Sequence, residues 1–218
     1  MHAQSPDAGA GRLPRPVTVV VPVRSFEGAK SRLGEALDAE ERRELVARLL
    51  RRIVHAALAT PAVAEVLVVS PDPDLLAYAA TVGARPVHQR TSGLNPALRE
   101  ARAAAAPRAV RLLVLPGDVV AVTPAAIEAL LAAGDHAGTP SVVLAPDRHG
   151  LGTNALLLDP PDVIEPAFGA TSRADHRRLA EDAGAVYAEV DGALGLDVDT
   201  PDDLLLAEAG LREVHHVD

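Results

Sequence analysis

The chain has 218 residues, 48% of them hydrophobic but only 2% aromatic, with no cysteine and a formal net charge of -9 at pH 7. That length suits one well-filled core and a single domain. The absent cysteines exclude disulfides, thiolate metal sites and cysteine nucleophiles, and the acidic, aromatic-poor composition argues against a base-stacking nucleic-acid surface.

Residues 1–16 mix Gly, Ala, Pro and polar groups and read as a disordered leader rather than a signal peptide or membrane segment. No apolar run approaches the ~20 residues needed to span a bilayer, so a cytoplasmic protein is expected. The folded domain is expected over 17–210, followed by a short tail, 211–218.

Valine-rich runs then alternate with helical periods. Strands are expected at Val17 to Val23, Glu65 to Ser70, Arg85 to His88, Val110 to Leu115, Ser141 to Ala145, Asn154 to Leu158 and Val186 to Val190. The clearest helix opens near Asp38 with Glu40 and Glu41 in its first turn, and Leu45, Val46, Leu49, Leu50, Ile53, Val54 and Ala57 fall on one stripe. Weaker helical patterns cover Pro73 to Val82, Asn95 to Ala106, Pro124 to Ala133, Ser172 to Ala183 and Pro201 to Ala209. Short strands separated by helices imply an α/β sandwich of Rossmann-like type, with a mainly parallel central sheet and helices on both faces.

In such sheets ligands bind at the carboxyl ends of the strands, so the polar residues after each strand carry the functional reading. Lys30 is the sole lysine among 21 basic residues, and it follows the first strand in VPVRSFEGAKSRL, with Arg24 and Arg32 nearby. A compact ammonium on a flexible stem suits a phosphate oxygen in a crowded site. Asp197 and Asp199 stand two apart; in extended backbone both carboxylates share a face, and with Asp118 of the PGD segment they can hold Mg²⁺ through hard oxygen ligands. Thr200, Pro201, Asp202 and Asp203 read instead as a helix start. Gly150, Gly152 and Thr153 in DRHGLGTN form either a ligand-approach loop or a plain turn. Gly169 and Ser172 lie at a helix start, where an anion or a simple cap would serve. Asn95, in TSGLNPAL, either meets a nucleobase edge or caps the next helix. The eight histidines show no metal-ligand spacing. The residues alone support the expectation of a nucleotide- or phosphate-binding α/β enzyme using Mg²⁺, without naming its substrate.

The ordered set VPVRSFEGAKSRL, TSGLNPAL, PGD, DRHGLGTNALLL, FGATSRADH and GLDVDTPDDL resembles the CofC/FbiD guanylyltransferases of coenzyme F420 biosynthesis, over about Val17 to Leu206. The resemblance implies a nucleotidyltransferase fold and transfer of GMP from GTP to a small phosphorylated carboxylic acid. Lys30, Arg24 and Arg32 would bind the GTP phosphates, Asp118, Asp197 and Asp199 would hold Mg²⁺, Thr153, Gly169 and Ser172 would cradle the acid, and Gly93, Leu94 and Asn95 would lie beside guanine. Many relatives have Ala-Asp-Leu-Pro at Gly117 to Val120 and threonine at Leu151. Phosphoenolpyruvate is the favoured acceptor, ahead of 2-phospho-L-lactate and 3-phosphoglycerate. A sugar-phosphate nucleotidyltransferase and a non-catalytic nucleotide-binding regulator are the other readings. The next transferase of the pathway is the expected partner, and a homodimer is left open.

Overall fold

The computed structural model describes residues 15–26, 38–105 and 109–195. A seven-stranded sheet runs in the order β3-β2-β1-β4-β6-β5-β7. Its strands are β1 (Val17–Pro22), β2 (Val63–Ser70), β3 (Arg85–His88), β4 (Arg111–Val114), β5 (Ser141–Pro146), β6 (Thr153–Asp159) and β7 (Val186–Glu189). The inner strands β1, β4 and β6 are buried along their whole length, whereas edge strands β3 and β7 have only four residues each, none of them buried. Short polar edges limit strand addition from other chains.

Among the described residues five α-helices cover the sheet: α1 (Ala39–Leu58), α2 (Pro73–Thr81), α3 (Leu94–Ala105), α4 (Pro124–Ala137) and α5 (Ser172–Asp182). Strand alternation sorts the core into two layers. Val19, Val21, Val66 and Val68 pack with Leu50 and Ile53 of α1, Leu75 of α2 and Ile127 and Leu130 of α4. Val20, Leu67, Leu112 and Leu156 face the opposite way, onto Leu98 and Ala101 of α3 and Ala180 of α5.

Local chemistry starts the helices where the sequence says. Asp38 and Glu41 form a reciprocal capping box: Glu41 N donates to Asp38 Oδ1 at 2.9 Å, and Asp38 N donates to Glu41 Oε2 at 2.8 Å. Asp72 and Thr123 cap α2 and α4, each followed by proline at the first helical position.

The sheet is parallel except for β6, which is antiparallel to both β4 and β5. The β5–β6 connection, Asp147 to Gly152, is a hairpin loop, too short for a helical crossover. A right-handed crossover between every pair of strands is therefore not found. The reversal brings the start of β6 to the same edge as the ends of β1, β2, β4, β5 and β7. Pairing also slips between Ala145 and Pro146, so Thr153 and Asn154 together face that single step.

The opposite edge of the sheet carries a buried ionic cluster. Arg111 at the start of β4 donates through Nη1 to Asp135 at 2.8 Å and through Nη2 to the Arg15 carbonyl. Arg15 in turn pairs with buried Asp159.

Candidate functional site

The strand ends form two neighbouring half-sites. The first is a cavity of about 600 Å³ bounded by Pro22 at the end of β1, Val23 and Arg24 after it, Pro71 after β2, and the Gln89 to Leu94 segment leading into α3. The loop after β1 is pinned from several sides. Val23 N donates to Val69 O at 3.0 Å, Ser70 Oγ to Arg24 O at 3.3 Å, and Phe26 N to Asp72 Oδ2 at 3.0 Å. The buried Phe26 ring lies under the Arg43 guanidinium, 4.3 Å from the ring centroid. These contacts leave the exposed Arg24 at the cavity wall. Lys30 and Arg32 lie outside the described residues.

The far wall is equally organised. Glu100 accepts from Arg90 N at 2.8 Å, Thr91 N at 2.9 Å and the Thr91 hydroxyl. These bonds, the hydroxyl first, hold its carboxyl below the ordinary range. Gln89 Nε2 donates to Gly93 O at 3.0 Å, and Gly93 adopts a φ of 103°, which favours glycine. Gly93 and Leu94 thus present the start of α3 to the cavity.

Asp118 follows β4 in a turn held by Gly117 N donating to Pro22 O at 3.3 Å and Val119 N to Pro116 O at 3.3 Å. The turn therefore sits against the end of β1. Val119 and Val120 are buried and anchor it. Asp197 and Asp199 lie outside the described residues; the last described element, a 3-10 turn at Ala193–Gly195, approaches the same edge, with Gly195 close to Pro146 O. Among the described residues no group of three or more metal-ligating side chains converges. An oxygen-only site built from Asp118 and two aspartates beyond Gly195 has the donor chemistry that Mg²⁺ takes.

The second half-site surrounds Thr153. His176 of α5 is fully buried and bridges two segments: Nε2 accepts from Ala167 N at 3.0 Å, and Nδ1 lies 3.1 Å from Thr153 Oγ1. Its ring packs edge-on against Phe168 at 5.1 Å. Burial pushes its pKa down to about 4, so the imidazole is neutral at pH 7. Phe168 is also gripped by Asn95 from α3: Phe168 N donates to Oδ1 at 2.8 Å, and Nδ2 donates to Phe168 O at 3.0 Å. Asn95 therefore does not cap α3. One amide hydrogen and lone-pair capacity on its oxygen remain for any base edge.

Ser172 opens α5 and is buried, while Gly169 is exposed. Ser172 N donates to Gly169 O at 3.2 Å and Arg173 N to Leu151 O at 3.0 Å. Those two helix-start donors are used inside the protein, so an anion held by them is not what the geometry offers. Ser172 is not the cap either; Thr171 occupies that position without a side-chain cap bond. The glycine pair of the β5–β6 loop resolves as a turn. Gly150 has a φ of 70°, and a Cβ on Gly152 would stand 2.7 Å from Asp147 Oδ2. Leu151 is 61% exposed.

Arg173 and Arg177 fasten α5 to β7 through Glu189, at 2.7 and 3.0 Å. Hydrogen bonds from Arg173 lead in holding the Glu189 carboxyl down to about 2.

The chain matches the family described as "Guanylyl transferase CofC like" over residues 17–208. It belongs to this family. It is 46% identical over 188 residues to the phosphoenolpyruvate guanylyltransferase of Sphaerobacter thermophilus, covering 85% of this chain and 89% of that one. It is 42% identical over 188 residues to the enzyme of the same name from Conexibacter woesei, covering 85% and 84%. Its fold is similar to that of a nucleotidyl transferase from Methanothermobacter, with a TM-score of 0.65 at 17% identity, covering 91% of this chain and 99% of that one. The CofC-like family assignment makes this chain an enzyme, a nucleotidyltransferase, and the α/β sandwich expected from its sequence is the one observed.

Three residues of the site were not singled out by sequence. His176 carried one weak signal, lying four residues after Ser172 and hence on the same face of α5. Asn154 lay hidden in a strand pattern. Phe168 was noticed only as part of a glycine-containing segment, without its link to Asn95.

Proposed function

We propose that this chain transfers GMP from GTP to phosphoenolpyruvate and releases pyrophosphate. The observation that carries the reading is the direct link between the two half-sites. Asn95, at the edge of the nucleotide cavity, holds Phe168, and Phe168 packs on the histidine that contacts Thr153. A nucleotide and a small acid would thus lie side by side at one sheet edge. The names of the relatives at 46% and 42% identity support phosphoenolpyruvate as the acid.

In this reading the acid's phosphate oxygen attacks the α-phosphorus of GTP in line. The new bond joins that oxygen to Pα, the Pα–O–Pβ bond breaks on the side of Pα, and pyrophosphate leaves with the bonding pair. A phosphate is already ionised at pH 7, so no general base is needed, which fits a half-site whose buried histidine is neutral. Bringing two unit charges of the same sign to ~4 Å at an effective dielectric near 20 costs ~4 kcal/mol. Lys30, Arg24 and Arg32 would offset this on the GTP phosphates, and positioning by the Asn95–Phe168 link lowers the entropic barrier. Asp118, Asp197 and Asp199 would hold Mg²⁺, which supplies charge neutralisation at the phosphates when bound. Thr153, Gly169 and Ser172 would line the acid, and Gly93, Leu94 and Asn95 the guanine.

No helix among the described residues is long and apolar enough to cross a membrane. A cytoplasmic location and direct handover of a labile product to the next pathway transferase are part of the proposal. Pyrophosphate release with GTP and Mg²⁺, offered phosphoenolpyruvate, 2-phospho-L-lactate and 3-phosphoglycerate separately, tests it. Release with phosphoenolpyruvate alone is expected; release only with another acid reassigns the acceptor, and silence with all three, despite GTP binding, rejects the reaction.

A further inference from the structure

Two buried polar groups at the start of β6 remain outside the account above. Thr153 and Asn154 are each 6% exposed, and the slip in β5–β6 pairing sets both against one step of the neighbouring strand. Such a bulge breaks the strict alternation of side chains and re-aims them.

Thr153 reaches His176 of α5. The Ala167 N–H can only donate, so the nitrogen that receives it, Nε2, must carry a lone pair. A neutral imidazole then bears its proton on Nδ1 and donates it to Thr153 Oγ1. The threonine hydroxyl already receives one hydrogen, so its own proton must point elsewhere. Among the described residues its one side-chain hydrogen bond is with His176 Nδ1. Burial of His176 favours the same neutral form. The result is a hydroxyl whose own proton is left to donate toward whatever lies beside it.

Asn154 supplies the second observation. Its Nδ2 is buried without a hydrogen-bond partner. It is in step with Leu156 and Leu158, which pack on the α3 and α5 side of the sheet, the side of Phe168 and His176. A buried amide left unsatisfied carries a desolvation cost unless a ligand completes it.

We propose that Thr153 Oγ–H and Asn154 Nδ2–H form a two-donor clamp for an anionic group of the small phosphorylated acid, and that His176 is the positioning residue that fixes the polarity of the threonine. This rests on the acceptor reading above. Both groups offer a hydrogen to a carboxylate or phosphate oxygen, and the charge on that oxygen strengthens such bonds.

The test compares wild type with Thr153→Val, Asn154→Asp, His176→Gln, His176→Asn and the Thr153→Val/His176→Gln double variant. Dissociation constants are measured for phosphoenolpyruvate with Mg²⁺ and separately for GTP. Asn154→Asp, which replaces donors with an acceptor of the same shape, should weaken the acid about tenfold or more and GTP less than about twofold. His176→Gln keeps an acceptor for Ala167 N but loses the donor to Thr153, and should weaken the acid about fivefold. His176→Asn keeps a donor near the Nδ1 position and should recover part of that loss. In the Thr153→Val background, His176→Gln should add less than about twofold, because both act through one hydroxyl. An additive effect, or an equal loss of GTP affinity, overturns the positioning role in favour of a merely structural histidine. Ring ¹⁵N shifts of His176 at pH 7 need no ligand, and an Nε2-protonated tautomer overturns it as well. A wild type that binds GTP but none of the phospho-acids overturns the acceptor reading and the clamp together. Acid binding unchanged in Asn154→Asp overturns the clamp alone.

Discussion

Asn95 holds Phe168 by both of its backbone polar groups, accepting from the N–H at 2.8 Å and donating to the carbonyl at 3.0 Å. The two residues are separated by 73 positions in sequence, one at the start of α3 and the other before α5. This pair joins the cavity beside Gly93 and Leu94 to the segment that packs on His176. Replacing Asn95 with alanine leaves both groups of Phe168 without a partner, at ~1–3 kcal/mol for each that stays buried. We expect Asn95→Ala to lower kcat/KM for the acid about tenfold and the melting temperature by ~2–4 °C per kcal/mol lost. Asn95→Asp keeps the acceptor and loses the donor, and should fall between. Steady-state kinetics at saturating GTP and thermal unfolding check both.

Stability should depend on pH through His176. Its folded pKa is lowered to about 4 from an ordinary 6.5, because burial disfavours the charged ring. Between those values the unfolded chain binds a proton that the folded chain does not. The histidine's contribution is therefore complete above pH 6.5 and declines as the pH falls toward 4, by ~3 kcal/mol in all. Glu189, also lowered, to about 2, loses its contribution in the same direction but only as the pH falls below about 4.5. Denaturant unfolding at pH 7.5 and pH 5.0 separates the two windows. Wild type should lose stability between them, and His176→Gln should lose clearly less.

Turnover should require both the cations and the carboxylates of the cleft. Asp118→Ala and Lys30→Ala are each expected to lower kcat at least about tenfold, the scale of losing one electrostatic contact to transition-state charge. Excess EDTA should abolish pyrophosphate release, and Mg²⁺ should restore it. Near-normal rates in either variant, read by coupled pyrophosphate assay, would remove that residue from the machinery.

The turn that carries Asp118 depends on the absence of a side chain at residue 117. A Cβ on Gly117 would stand 2.8 Å from Val23 Cγ2 and 3.2 Å from Pro22 O, so the turn or the end of β1 must shift. Gly117→Ala should destabilise the protein by ~1–3 kcal/mol, as overpacked sites do, and reduce kcat more than GTP affinity. Titration calorimetry alongside kinetics distinguishes displacement of Asp118 from general unfolding.

Arg111 offers the control at the other end of the sheet. It is fully buried, its pKa is lowered by desolvation, and it pairs with Asp135. Breaking a buried ionic pair costs ~3–5 kcal/mol when a charge is left behind. Asp135 is half exposed, so the lower end is expected for Arg111→Met. The melting temperature should fall while kcat/KM at 25 °C stays within about twofold.

What the sequence determined by itself was the local layer of this protein. Continuous apolar runs such as Val19 to Val21 can only be satisfied by burial on both faces, and Asp38, Asp72 and Thr123 satisfy the free N–H groups at helix starts wherever the chain goes. The polar clusters at strand ends, Arg24, Asp118 and Thr153 among them, were legible for the same reason. Tertiary structure decided which of these groups meet. The antiparallel seat of β6 between β4 and β5 follows from a short hairpin and a long-range pairing choice, and it is what carries Thr153 and Asn154 to the edge where β1, β2 and β4 end. Asn95 and His176 gave no periodic signal, because a single polar residue acquires its role only from partners 73 and 23 positions away. Hydrophobic periodicity is a property of neighbours along the chain; a hydrogen bond between distant segments is a property of the packed sheet.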